Sequence, residues 1–90
     1  MNDTPALLLY TRPDCMWCLA IKQLLASRGL KWQERVVNDE DGAREMMEAT
    51  GRRSVPQLVA HGKALGGYQE VKALADAGTL ADALGNAGSV

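Results

Sequence analysis

The chain contains no Phe, and two Trp and two Tyr are its only aromatic rings. Four rings are too few for a platform on which nucleic-acid bases stack. An excess of charge of one sign is missing too. Ten Lys and Arg stand against eleven Asp and Glu, a net charge of −1, so the whole molecule exerts no general pull on nucleic acid or an anionic membrane. The apolar run Ala6 to Tyr10 is five residues long, whereas a membrane-spanning helix needs about 20. Met1 to Pro5 has no basic n-region of a secretory signal, which predicts a cytoplasmic protein. Cysteine is scarce as well: two are too few to staple a small fold with disulfides, and they stand three positions apart, at Cys15 and Cys18.

What remains is a globular composition. Ninety residues, 47% of them hydrophobic and 23% charged, exclude a disordered tail, a collagen-like repeat and a coiled coil. A chain of this length makes one domain with a thin core, burying roughly 60–65% of its unfolded surface. The domain is expected to run over 1–90, with its core at about 6–84 and the small, polar stretch 85–90 frayed.

Along the chain, Ala6 to Tyr10 is an unbroken apolar run stopped by Pro13, as in a strand buried on both faces. From Met16 to Arg28 the period becomes helical, with Trp17, Ile21, Leu24 and Leu25 on the inner face and Gly29 as the stop. Trp32 to Val37 reads as a second strand, although Glu34 shares the parity of Trp32 and Val36. Asn38 is the expected N-cap of a second helix, with acidic residues over its first turn, an inner stripe of Ala43, Met46, Met47 and Thr50, and Gly51 as its end. Pro56 opens a strand Gln57 to Ala60, His61-Gly62 turns the chain, and Lys63 to Leu65 returns as a hairpin partner. Gly66-Gly67 precedes a third helix, Tyr68 to Ala77, with Val71, Leu74 and Ala75 inward. Thr79 and Asp82 then suggest the cap of a short last helix ending at Leu84. The order β-α-β-α-β-β-α predicts an α/β fold, a four-stranded mixed sheet flanked by helices.

Cys15-Met16-Trp17-Cys18 falls where the first strand hands over to the first helix. Unpaired backbone N–H groups at a helix start act as a partial positive charge and favour a thiolate over a thiol. Arg12, three residues upstream, adds to this. A free thiol of pKa ~8.5 is about 3% ionised at pH 7; lowering it by ~2 units makes it about three-quarters ionised, for about 2.7 kcal/mol. Cys18 lies three residues on, on the same helix face but deeper. The chemistry this suits is thiol–disulfide exchange: Cys15 attacks a disulfide, a mixed disulfide forms, and Cys18 resolves it. Three other readings compete. A zinc site needs four ligands, and His61 is the only further conventional nitrogen or sulfur donor. A bridging iron–sulfur cluster shared by two chains is a second. Two inert core cysteines are a third, which suits Cys18 better than Cys15. No metal is expected.

Thr11-Arg12-Pro13-Asp14-Cys15-Met16-Trp17-Cys18, then Ser54-Val55-Pro56-Gln57, then Gly66-Gly67, resembles the glutaredoxin family in order and spacing, from about Leu7 to Leu84. The resemblance implies a thioredoxin-like fold with a dithiol centre at the start of the first helix and a cis Pro56 facing the cysteines. It implies that the backbone at Val55 pairs with the cysteinyl part of glutathione or a substrate, and that Arg12 stands near a glutathione carboxylate. Trp17 occupies the aromatic slot between the cysteines. Gly67, Tyr68 and Gln69 fall where the family holds the γ-glutamyl end of glutathione. There, however, Tyr68 is bulky and Gln69 uncharged, where the family usually has a small residue and Asp, and Met16 replaces the usual Pro. The implied activity is reduction of protein disulfides or glutathione mixed disulfides, by a monomer with no tightly bound cofactor and glutathione as co-substrate.

Tyr10 to Cys15 also resembles the NrdH-type redoxins, which implies thioredoxin reductase and ribonucleotide reductase as alternative partners, although the Phe of their C-terminal signature is lacking. A glutathione-ligated iron–sulfur carrier is a further alternative. Arg52 and Arg53 could join Arg12 in a basic rim that receives glutathione carboxylates, and Gln57 could present its amide to the same ligand. His61 reads as a turn residue, Met46 and Met47 as core, and the set Asp39, Glu40, Asp41, Glu45 and Glu48 as the exposed face of the second helix.

Overall fold

A computed structural model describes residues 7–80. Strand β1 (Leu7–Thr11) is followed by helix α1 (Met16–Ser27), β2 (Gln33–Val36), α2 (Glu40–Thr50), β3 (Gln57–Ala60), β4 (Lys63–Gly66) and α3 (Tyr68–Asp76). The sheet order is β2-β1-β3-β4, with β1 parallel to β2 and antiparallel to β3, and β3 antiparallel to β4. This is the expected mixed four-stranded sheet. Of the short last helix only Thr79 and Leu80 fall among the described residues, and the tail 85–90 lies outside them. Leu80 is buried.

β1 is an unbroken apolar run from Leu7 to Tyr10 because both faces of the sheet are covered. Leu7 and Leu9 join Ile21, Leu25, Leu58, Val71 and Ala75 in the larger core, under α1 and α3. Tyr10 joins Val37, Met46 and Val59 in the smaller core, under α2. The Tyr10 hydroxyl escapes burial without a partner by donating to Glu45 at 3.1 Å. Burial, and then that carboxylate, push the phenol above its ordinary pKa. His61 and Gly62, with φ of 51° and 79°, make the tight β3–β4 turn.

Five local expectations are corrected. The inner stripe of α1 is Cys18, Ile21 and Leu25, whereas Trp17 is 55% exposed. The helix is rotated so that Cys18, not Trp17, lies under the end of the sheet. In β2 neither Val36 nor Glu34 is buried, because β2 is the sheet's edge and only Val37, just past it, enters the core. The N-cap of α2 is Asp39 rather than Asn38: Asp39 has the extended backbone a cap needs, and its Oδ1 accepts the Gly42 N–H at 2.8 Å. Met46 is fully buried, but Met47 is 39% exposed, since the next helical position turns about 100° away from the sheet. The acidic face of α2 is also not uniformly free, because Glu45 takes Arg35 Nε at 3.0 Å as well as Tyr10.

Candidate active site

β1 ends at Thr11, and the turn through Pro13 and Asp14 delivers Cys15 to the first turn of α1. Cys15 keeps extended dihedrals (φ −108°, ψ 111°) and is itself the N-cap, so its Sγ replaces the usual Ser or Asp oxygen and accepts the Cys18 N–H at 3.0 Å. No acidic side chain lies in the first turn of α1. A thiolate on this sulfur meets a backbone donor and the positive end of the helix, and both favour the charge. Cys18 is 2% exposed, while Cys15 is only partly covered. The two are paired as a disulfide, with Cα atoms 5.1 Å apart, inside the span such a bond reaches. One sulfur meets solvent and the other can reach it from behind.

Two grooves lie about the motif: both cysteines line the first, and Trp17, between them in sequence, lines the second. The first, of about 530 Å³, runs over Arg12, Pro13, Cys15, Met16, Leu19 and Val36. Its wall is an ion network, in which Lys22 Nζ lies 2.7 Å from Glu34 Oε2 and the buried Thr11 hydroxyl donates to the same oxygen at 2.6 Å. This explains the odd parity of Glu34. Burial works to raise its pKa, but hydrogen bonds from Lys22 and Thr11, with the Lys22 charge, outweigh that and hold the carboxyl below its ordinary value.

The second groove, of about 190 Å³, lies between Trp17 and the loop before β3. It is lined by Arg52, Ser54, Val55, Pro56, Gln57, Gly67, Tyr68, Gln69 and Glu70. The Val55–Pro56 peptide is cis. Gln57 is buried; its Nε2 is 3.4 Å from Ser54 Oγ, and its Oε1 has no partner among the described residues. Tyr68 opens α3, and its ring meets Trp17 with centroids 5.2 Å apart at an angle of 38°. The aromatic pair bridges the starts of α1 and α3 over the groove.

The glutaredoxin family profile matches residues 7–65, from β1 through the β3–β4 hairpin. The chain belongs to the glutaredoxin family. A probable glutaredoxin of Synechocystis is 35% identical over 74 residues, covering 80% of this chain and 84% of that one. Glutaredoxin 3 of Escherichia coli is 34% identical over 73 residues, covering 80% and 88%. Among solved structures, a Brucella melitensis glutaredoxin aligns with TM-score 0.79 and 30% identity over 99% of this chain and 98% of its own. A buckwheat glutaredoxin–glutathione complex aligns with TM-score 0.80 and 26% identity over 96% and 82%. The fold is therefore the thioredoxin-like fold of glutaredoxins, and the chain is a glutathione-dependent thiol–disulfide oxidoreductase.

Against the residues singled out by sequence, the glutaredoxin fold brings Trp17, Arg52, Val55, Pro56, Gln57, Gly67, Tyr68 and Gln69 into one groove beside the cysteines. Arg12 lines the other groove, and Arg53 a third cleft with Glu40, Arg44 and Met47. The three arginines therefore do not converge on one basic rim. Arg52 is also engaged, with its NH1 3.3 Å from Glu70 Oε2.

Sequence reading gave Glu70 no role. Its Oε1 accepts the Gly67 N–H at 2.9 Å, half of a capping box. Its own backbone N–H, then that of Gly67, hold its carboxyl below the ordinary value, with Arg52 assisting. The signal was present as Gly67-x-x-Glu70, the spacing between an N-cap and the third helical residue. Among the described residues no three His, Cys, Asp or Glu are grouped to hold a metal, and no helix is long and apolar enough to cross a membrane.

Proposed function

We propose that this chain, working as one monomeric domain in the cytoplasm, reduces glutathione mixed disulfides and protein disulfides through Cys15 and Cys18, with glutathione as the reductant. The observation that carries the assignment of roles is the asymmetry of the pair: Cys15 Sγ sits at the helix start under a backbone donor, and Cys18 is buried behind it. The Cys15 thiolate attacks one sulfur of the substrate disulfide; that S–S bond breaks, a Cys15–substrate disulfide forms, and the departing thiolate takes a proton. Cys18 then gives up its proton and attacks Cys15 Sγ. The second substrate sulfur leaves as a thiol, and two electrons have passed from the dithiol to the substrate. Two glutathione molecules restore the dithiol and become glutathione disulfide.

The groove by Val55 and Pro56 suits the glutathionyl half. Its exposed cation Arg52 suits a carboxylate, the Val55 backbone suits the cysteinyl unit, and the Gln57 amide side chain lines the same groove. Gly67, Tyr68 and Gln69 at the start of α3 face the γ-glutamyl end. The buckwheat relative, solved with glutathione, supports this choice of ligand, and a close thiol pair suits a reducing compartment.

Two variants and two donors test the reading. Cys15→Ser abolishes turnover of every disulfide, whereas Cys18→Ser retains release of glutathione from mixed disulfides, a route that needs one sulfur. Glutathione with its reductase sustains the wild-type cycle. Turnover supported only by thioredoxin reductase overturns the choice of donor, and activity in Cys15→Ser overturns the mechanism.

A further inference from the structure

The wider groove is lined by Cys15 but not by Val55 or Pro56, and it is the more apolar of the two. Met16 is 84% exposed, Leu19 58% and Val36 38%. These three line the groove together with Cys15. Met16 and Leu19 share a face of α1 at three-residue spacing, and Val36 comes from the edge strand β2, so the patch joins two elements across the groove. Exposed apolar side chains gathered next to a reactive sulfur, rather than scattered singly, mark a surface that something covers.

We infer, on the reading that Cys15 is the attacking sulfur, that Met16, Leu19 and Val36 form a docking surface for the protein half of a disulfide substrate, contacting apolar residues that flank its half-cystine. The chemistry of the site argues for this occupant. Attack by Cys15 on the glutathione sulfur of a mixed disulfide brings three sulfurs into line, with the protein's sulfur departing as a thiolate that takes a proton, so whatever flanks that sulfur lies against a rim of the cleft as the bond breaks. When glutathione fills the narrow groove by Val55, the wide groove is the flank left for the protein. The Lys22–Glu34–Thr11 network spends two of the groove's charges on each other. That leaves Arg12 and Asp14, one of each sign, and no net preference for a charged peptide. The surface selects apolar contact instead.

The test compares two substrates in the wild type and in the double variant Leu19→Gln, Val36→Thr. The first is glutathionylated serum albumin, and the second is the mixed disulfide of glutathione with 2-mercaptoethanol, which has no protein half. Both positions are solvent-facing, so the urea midpoint of the double variant stays at the wild-type value. Its KM for the albumin adduct rises about fivefold, equivalent to about 1 kcal/mol, while kcat and the small-substrate constants stay within about twofold. Met47→Gln, an exposed apolar position on α2, changes neither substrate. Equal losses on both substrates, or no loss on either, overturn the docking surface. Sedimentation showing a wild-type dimer that the double variant dissociates also overturns it, because a second copy then covers the patch. Failure of the wild type on the small substrate overturns instead the proposed reduction of glutathione mixed disulfides, and activity in Cys15→Ser overturns the reading that Cys15 attacks.

Discussion

Gly66→Ala should be among the costliest single-methyl additions in this chain. Gly66 ends β4 with φ of 109°, a region that a residue with a Cβ adopts only at about 1–3 kcal/mol. A methyl group built there lies 2.8 Å from Glu70 Cβ and 2.9 Å from its Cγ. Rotating the Glu70 side chain relieves the second overlap but not the first, because Cβ is fixed by the backbone of α3. Moving Glu70 also releases the Gly67 N–H, a hydrogen bond contributing about 1 kcal/mol, and the exposed Arg52 pair, which contributes little. The sum is about 2–4 kcal/mol, or a loss of about 10–25 °C in Tm for a domain of this size. Gly29→Ala is the internal control: φ there is 73°, and nothing lies within 4 Å of the added carbon, so only the left-handed backbone is penalised, at about 1 kcal/mol. Urea unfolding followed by far-UV circular dichroism, with m checked for constancy, measures both. If Gly66→Ala is no more destabilising than Gly29→Ala, the close packing of α3 against the end of β4 does not constrain the fold, and the reasoning fails.

Three further outcomes follow from the packing and the electrostatics. Ile21→Ala, at a fully buried position, should cost about 2–5 kcal/mol, whereas Trp17→Ala, at a half-exposed one, should cost no more than about 1.5 kcal/mol from its contact with Tyr68; chemical denaturation separates them. Asp39→Ala should lose about 0.5–2 kcal/mol as the cap of α2, while Asn38→Ala stays within about 0.5 kcal/mol, and equal losses would contradict the assigned cap. Glu34, Glu45 and Glu70 are all held below the ordinary carboxyl value of 4.5. The unfolded chain therefore binds more protons between the two values. The stability these groups contribute is present above pH 4.5 and is lost as the pH falls through their folded values. Glu34→Gln should be less stable than wild type at pH 7 and show a shallower fall in acid, and an unchanged slope in a pH series of urea midpoints would refute the assignment.

Much of the fold was readable because its signals are local. The unbroken apolar run of β1, the His61-Gly62 turn and the Pro56-led run of β3 each report a strand or turn whatever packs against it. Trp17 misled because α1 carries apolar residues at both 17 and 18, about 100° apart, and the periodicity does not say which one faces the sheet. Asn38 and Asp39 are both good caps, and only the backbone path out of β2 selects between them. Val36 follows strand alternation but lies on an edge, which no pattern within four residues reveals.

The candidate site divides the same way. Cys15-x-x-Cys18 after an apolar strand and before a helical stripe determined, by sequence alone, that a reactive sulfur stands at a helix start with a second sulfur one turn away, because spacing along one helix is a local property. Tertiary structure decided what surrounds them. It sends Arg12, Arg52 and Arg53 to three different clefts, tilts Tyr68 against Trp17, sets Glu70 under Gly67, and opens an apolar groove between α1 and β2. Those relations join residues distant in the chain, and they come into being only when the helices settle on the sheet.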